Sequence, residues 1–426
     1  SSDAEITVIT DDAHVAYSPC AIPFVIDGTI ADFRSTVMHT PEFYQKERKI
    51  TVRTRTKVLS VDLQGKKVKT NAGDEVPFDS LVVCPGGKVF VPPIAGVELK
   101  GVFAVHNLAD GEAIQKALKT AKRVVVAGAG VIGLEMAVAI RNLGKEVVVI
   151  EMLPQVVPRL LDPDMALLVQ RHVEQKGITF LLNAPIASIK GKDKVEAVVA
   201  GGKELESEMV IMATGVRPNL DLPNQMGLDV SPLGGVRVSP SLQPYSKGRL
   251  VKNVYLAGDA ISCESAATPG PTMNQLGSAA VRQGRVAGIN AAGGKAAYSR
   301  VASPWVSFLG EIQVAGTGIS RSLADYYGIS LTEGKAKGST RARYYPGGKP
   351  LCVKILAETE THRIVGAQVV GGEEVTGRIN WLTTAVLKGV TAEEFAGSFE
   401  HAYCPPTSPV KDVVVLAAED LVKSIA

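Results

Sequence analysis

Cysteine is scarce in this chain and is never paired in sequence. Five occur in 426 residues, Cys20, Cys84, Cys263, Cys352 and Cys404, and none forms a CxxC. An odd, scattered set fits neither the disulfide framework of a small secreted domain nor a zinc-binding spacing. It fits a reducing compartment, so a cytoplasmic protein without a metal centre is expected. Long apolar runs are missing too. Nowhere do about eighteen uncharged hydrophobic residues follow one another, and no membrane span is expected. The first residues are polar, and the apolar stretch after them is too brief for a signal-peptide core. An excess of one charge is also absent, with 46 basic residues against 43 acidic ones for a net +3. The basic residues form no block, which argues against nucleic acid as a partner.

What remains is an ordinary globular composition, 46% hydrophobic and 21% charged. A chain of 426 residues exceeds one comfortable core, so two or three domains are expected. Forty-two glycines stand out, many directly after β-like apolar runs. In α/β proteins that is where backbone comes close to phosphates. Ile6-Thr7-Val8-Ile9 alternates like a strand, and 52–90 reads as short strands ending in Leu81-Val82-Val83. Helical spacing covers 108–120. Strands are then expected near 178–182, 195–199 and 208–213, with helices over 163–176 and 271–292. After Gly293-Gly294 the pattern becomes α+β: strands at 311–316, 351–356 and 364–370, then helices at 373–388 and 391–398.

The sharpest local signal is Gly128-Ala129-Gly130-Val131-Ile132-Gly133. It follows the buried-strand run Arg123-Val124-Val125-Val126-Ala127 and opens a helix. Val147-Val148-Val149-Ile150 is the next strand, and Glu151 ends it, eighteen residues past Gly133. A strand, a glycine turn, a helix and an acid at that distance make a dinucleotide-binding unit. Gly128, Gly130 and Gly133, with the backbone of Ile132, let N–H groups reach a pyrophosphate at a helix N-terminus. Glu151 accepts from adenosine ribose hydroxyls and repels a 2′-phosphate, which favours NADH over NADPH.

Two further strand ends extend the pattern: Met212-Ala213-Thr214-Gly215-Val216-Arg217-Pro218-Asn219 and Tyr255-Leu256-Ala257-Gly258-Asp259-Ala260. With the βαβ unit they make the whole chain resemble the pyridine nucleotide–disulfide oxidoreductase family. The resemblance implies an α/β fold with two Rossmann-like nucleotide-binding domains, an FAD domain and an inserted NAD(P)H domain, plus a C-terminal α+β dimerisation domain. The expected division is 1–117 and 248–298 for FAD, 118–247 for NAD(P)H and 299–426 for the interface. It implies Asp259 and Gly258 at the flavin ribitol, with Gly86, Gly215 and Gly277 in the cofactor cradle. Glu135 would position the nicotinamide. The family's first ATG-like turn corresponds to Cys84-Pro85-Gly86-Gly87, which departs from Ala-Thr-Gly but keeps its glycine.

Tyr17-Ser18-Pro19-Cys20-Ala21-Ile22-Pro23-Phe24 lies just after the opening strand. Glutathione-reductase-like members place two cysteines close in sequence, whereas Cys20 has no neighbour before Cys84. The segment therefore resembles the single-cysteine branch of CoA-disulfide reductases, NADH oxidases and peroxidases, and persulfide reductases. There Cys20 would be the redox thiol beside the flavin. His401-Ala402-Tyr403-Cys404-Pro405-Pro406, with Lys411 eight residues after Tyr403, resembles the branch's tyrosine–proline–proline segment. That segment reaches across a homodimer, which makes Tyr403 catalytic and Lys411 a CoA contact. Tyr345, before Pro346-Gly347, is the second expected catalytic tyrosine.

Departures from the family pattern are specific. The opening strand–GxGxxG–helix that holds the FAD pyrophosphate has no counterpart, and the expectation is a sequence that begins inside that unit. The acid on the FAD ribose falls at Thr10, with Asp11 next to it as the expected ligand. Ala16 and Pro19 stand where CoA-disulfide reductases carry serine and asparagine. Val131 replaces an aromatic gate over the nicotinamide. His14, Cys263 and Cys404 are read as ordinary surface or packing residues, and Trp305 and Trp381 as packing in the last domain. The expected reaction is reduction of CoA disulfide, CoA persulfide or polysulfide by NAD(P)H. The alternatives are an NADH oxidase or peroxidase on the same frame and a flavin-poor electron-transfer or interaction subunit.

Overall fold

The structure, a computed structural model, describes residues 4–425. Its centre is the run Arg123–Ala127, whose last four residues are all buried. A strand with no polar side has to be covered on both faces, and parallel strands with flanking helices do that. It pairs in parallel with Glu146–Ile150 on one side and Met209–Met212 on the other. The sheet continues to Thr179–Leu181 at one edge and Val102–Ala104 at the other. Its edge strand thus comes from before residue 118. The helix Val131–Asn142 covers one face through Gly133, Leu134 and residues 136–140, all buried. An antiparallel ribbon, Ile186–Lys190 with Ala197–Ala200 and Lys203–Glu206, covers part of the rest.

The first domain is assembled from both sides of this insertion. Ile6–Ile9 pairs in parallel with Ile50–Arg53, and Leu81–Val83 with Val254–Leu256, a partner over 170 positions further along the chain. The helix expected over 271–292 runs only from Gly277 to Ala291. Pro271–Met273 instead forms a strand against Ser262–Glu264, because proline at a strand edge gives up no ladder hydrogen bond.

The last domain is a five-stranded antiparallel sheet in the order Trp305–Phe308, Gln313–Gly318, Ile364–Gly371, Pro350–Glu358, Leu331–Ser339. The strand Leu331–Ser339 and the helix Val413–Ile425 are additions to the sequence reading. The strand has no clean period, since two lysines and two glycines break it, whereas Val413, Val414, Ala417, Ala418 and Leu421 do follow helical spacing. Gly334 is there for space: a Cβ would sit 2.3 Å from the Ala417 carbonyl oxygen of that helix. Trp305 and Trp381 pack as expected. The Trp305 ring lies over Gly316, and Trp381 tilts on Phe395 with centroids 5.0 Å apart.

The parallel-sheet domain is fastened to this sheet by buried charge. Lys354, 3% exposed, places its Nζ 3.0 Å from Asp162, 2.9 Å from Asp164 and 3.0 Å from Glu333. Lys335 reaches Asp164, and the Arg321 backbone N–H donates to the other Asp162 oxygen at 2.9 Å. Three cations, Lys335, Lys354 and Arg321, balance three carboxylates, which is the condition for charges to be buried at tolerable cost.

Candidate active site

Cys20 sits in a single 3-10 turn, Pro19–Ala21, that runs straight into the short helix Ile22–Ile26. Proline at the first position presets the turn, and Ile22, Val25 and Ile26 anchor the helix in the core. The cysteine itself keeps solvent exposure. Protein packed around its thiol pushes the pKa up by burial, and the negative charge of Glu135 adds to this. A local backbone hydrogen bond works the other way, and Asp259 contributes a further increase. Cys20, Glu135 and Asp259, from three remote stretches of sequence, are therefore electrostatic neighbours.

Glu135 comes from the helix after the glycine turn. Burial pushes its carboxyl up, opposed by a hydrogen bond from the Ser307 hydroxyl at 2.7 Å. Ser307 belongs to the last domain, so Glu135 joins two domains beside Cys20. A cleft of about 160 Å³ lies here, lined by Glu135, Pro23, Phe24 and Phe308. A larger one of about 510 Å³, between His172 and the strand ends at Lys337 and Cys352, lies apart from these three residues.

The glycine turn has the geometry its sequence requires. Gly128 adopts φ +107°, and a Cβ there would meet the Ala213 carbonyl oxygen at 2.3 Å. A Cβ on Gly133 would fall 2.0 Å from the Gly128 carbonyl, while Gly130 opens onto free space. Ile132 is exposed at the helix start, whose N-cap Gly130 brings no side-chain cap. Glu151 is buried and accepts from the Ala129 N–H at 2.9 Å and from Leu153 N–H at 2.9 Å. Val157, a β-branched residue at φ 46°, donates its N–H to the Ala129 carbonyl at 2.8 Å. Such strain in a β-branched residue persists only where the surroundings impose it, and no sequence signal announces it.

On the other side, Gly258 and Gly86 take φ +85° and +66° with open space where a Cβ would stand. Asp259 is half-buried; burial pushes its carboxyl up and His106 pulls it back. No donor from the described residues reaches that carboxylate. The Gly258 N–H is held by Gln283 at 2.7 Å, and Gln283 belongs to the helix that Gly277 opens without a side-chain cap. Gly215, at φ +109°, passes its carbonyl to the Phe90 N–H at 2.8 Å. Asp11 is exposed; it is Asp12 that accepts from Tyr17 Oη, at 2.7 Å.

Tyr403 is 43% exposed and shares a 2.5 Å hydrogen bond with Tyr344. Tyr345, the residue singled out in the sequence, turns instead towards the Arg341 guanidinium, 6.0 Å from its ring centroid. Adjacent residues in a loop point different ways, and the motif alone cannot say which tyrosine meets Tyr403. Lys411 is paired with Glu419 at 2.7 Å.

A lone thiol thus stands on the turn leading into the helix that shares a cleft with Glu135, and two glycine turns, at Gly130 and at Gly258, open onto free space. The comparisons give that arrangement its family. Residues 1–284 match the model of the pyridine nucleotide-disulphide oxidoreductases, and 303–412 match the dimerisation domain of the same family. The chain belongs to this family. It is accordingly a flavoprotein oxidoreductase dependent on FAD and NAD(P)H. Among its relatives is a protein named NADH oxidase from Methanocaldococcus jannaschii, 44% identical over 432 residues that span 100% of this chain and 95% of that one. Another is the NAD(P)H coenzyme A polysulfide/persulfide reductase of Pyrococcus horikoshii, 32% identical across 96% of this chain and 90% of the relative. The solved NAD-dependent persulfide reductase from A. fulgidus superimposes with a TM-score of 0.94 at 31% identity, covering 98% of this chain and 78% of that one. No helix among the described residues is long and apolar enough to cross a membrane.

Proposed function

We propose that this protein is an NAD(P)H-dependent reductase of CoA disulfide, CoA persulfide or a related polysulfide, acting through Cys20 in the cytoplasm. The observation that carries the reading is a single thiol, with no second cysteine before Cys84 in sequence, on a turn leading into the helix that borders the cleft beside Glu135. A lone thiol that reduces a disulfide forms the mixed disulfide with the substrate itself.

The residues fit both cofactors. Gly128, Gly130 and the uncapped start of Val131–Asn142 would hold the NADH pyrophosphate, with Glu151 at the ribose. Gly258, Gly86, Gly277 and the Asp259 carboxylate, which no donor reaches among the described residues, would hold FAD, the acid accepting from a ribityl hydroxyl. Bound FAD supplies the exchange of a hydride for two electrons delivered to sulfur.

Cys20 as thiolate attacks one sulfur of the substrate disulfide, forming a mixed disulfide and expelling a thiolate. Two electrons from NADH then cleave that mixed disulfide, restoring the Cys20 thiolate and releasing the second thiol. For CoA disulfide, NADH and a proton give NAD⁺ and two CoA thiols. Glu135, tied to Ser307, would position the nicotinamide on its side of the thiol. The Tyr403 phenol, in a homodimer, donates to the departing thiolate, and Tyr344 rather than Tyr345 orients it. Lys411 would leave Glu419 for a CoA phosphate.

A second reading has its own support: the 44% identical relative is named NADH oxidase. On that reading Cys20 cycles through sulfenic acid and the acceptor is O2 or peroxide. Anaerobic reduction with NADH, followed by CoA disulfide, polysulfide or O2, separates the two. Cys20→Ser should lower CoA-disulfide turnover about a thousandfold while flavin reduction by NADH persists. Full turnover by the serine variant would sink the thiol mechanism.

A further inference from the structure

We infer that Arg378 is a positioning residue whose buried guanidinium ties the loop carrying Tyr344 to the loop carrying Tyr403 and so sets the hydrogen bond between the two phenols. Its consequence for turnover rests on the function proposed above, in which Tyr403 works at Cys20 across a dimer.

The two phenols are far more exposed than the groups beneath them. Tyr344 is 75% and Tyr403 43% exposed, and neither lies in a helix or strand. In the single chain the phenol–phenol hydrogen bond competes with water and cannot by itself order the two loops before a partner subunit covers them. The order comes from the first turn of the helix Val375–Lys388, where Arg378 is 7% exposed. Its Nε donates to both Asp412 oxygens at 3.1 Å, and its Nη2 donates to one of them at 2.7 Å. The same Nη2 reaches the Thr340 carbonyl at 3.5 Å, and Nη1 donates to the Glu374 carbonyl at 2.9 Å.

These acceptors sit at the roots of the two loops. Thr340 lies at the end of the strand Leu331–Ser339, four residues before Tyr344. Asp412 closes the stretch that contains Tyr403, and its N–H returns to His401 Nε2 at 3.3 Å, binding the stretch end to end. One backbone bond joins the loops directly, Ala342 N–H to the Pro405 carbonyl at 3.1 Å. Glu373 steadies the Tyr344 side, taking Thr340 Oγ1 at 2.7 Å and the Arg341 fork at 2.7 and 2.9 Å.

Burying an arginine–aspartate pair is an indifferent way to gain stability, because desolvation cancels much of the attraction. A planar fork with donors in fixed directions is a good way to hold several acceptors in register. Lysine, a point charge on a flexible stem, cannot reproduce it.

The test uses the flavin-loaded enzyme with 3-fluorotyrosine at position 403. Tyr344→Phe marks the fluorine resonance and phenol titration of a Tyr403 without its partner. The double variant Arg378→Met/Asp412→Leu removes both buried charges together, which spares the fold the cost of one orphaned ion. Its resonance should move most of the way to the Tyr344→Phe position. Acceptor turnover should fall about tenfold, with flavin reduction by NADH unchanged. Arg378→Lys should move the resonance in the same direction, and it decides the matter if the double variant does not fold. A resonance that stays at the wild-type position overturns the inference. A resonance that moves while acceptor turnover holds upholds the tether and refutes the role given to Tyr403.

Discussion

Cys20 shows how much of a site depends on neighbours that sequence keeps far apart. Its thiol is pushed up by burial and then by Glu135, so the thiolate is the minor form near neutrality and grows as pH rises. Alkylation by iodoacetamide should follow that rise. Glu135→Gln removes a negative charge that opposes the thiolate, and its alkylation profile should move to lower pH. An unmoved profile would mean that the two groups do not face each other. The cysteine, the glycines and Glu151 were legible as motif positions. The pairing of Tyr403 with Tyr344, and of Glu135 with Ser307, was not, because those contacts join residues 59 and 172 positions apart.

At the scale of elements, the glycine turn is a tight constraint. A methyl on Gly133 would overlap the Gly128 carbonyl at 2.0 Å, so strand and helix would have to part. Gly133→Ala should cost about 1–3 kcal/mol in denaturant unfolding and weaken NADH binding, measured by anaerobic titration. The buried charges between Asp162 and Lys354 are a second joint. Burial works against the charged Lys354, yet Asp164, Glu333 and Asp162 together keep its pKa raised. That stability is present below lysine's ordinary pKa and is lost only as pH climbs through the raised one. Lys354→Met leaves Asp162 buried without its cation and should destabilise by roughly 3–5 kcal/mol in the same unfolding assay. Period and composition revealed the parallel strands Arg123–Ala127, Glu146–Ile150, Thr179–Leu181 and Met209–Met212 and the last-domain helices Val375–Lys388 and Ala392–Ser398. The edge strands Leu331–Ser339 and Pro271–Met273 were hidden because their residues suit a strand only beside the neighbour they pair with.

For the whole molecule, the decisive question is whether one site draws on two chains. The dimerisation domain carries both phenols, while Cys20 lies in the first domain. Mixing Cys20→Ser chains with Tyr403→Phe chains then yields heterodimers with one doubly damaged site and one intact site. Turnover should recover to about half of wild type per heterodimer, read after tandem-tag purification. Sites built within one chain would show no recovery.

Some of this was settled by the order of residues alone. An all-apolar strand followed by GxGxxG and an acid leaves the backbone few alternatives, since only glycine permits those φ values and those close approaches. The βαβ unit, the family resemblance and the candidate thiol follow from such local constraints. Folding in three dimensions decided the rest. It chose which tyrosine meets Tyr403, set Glu135 against both Cys20 and Ser307, and buried Lys354 and Arg378 among carboxylates. Those choices depend on distances across domain boundaries and on the cost of leaving a charge unpaired, and neither is written in any short stretch of sequence.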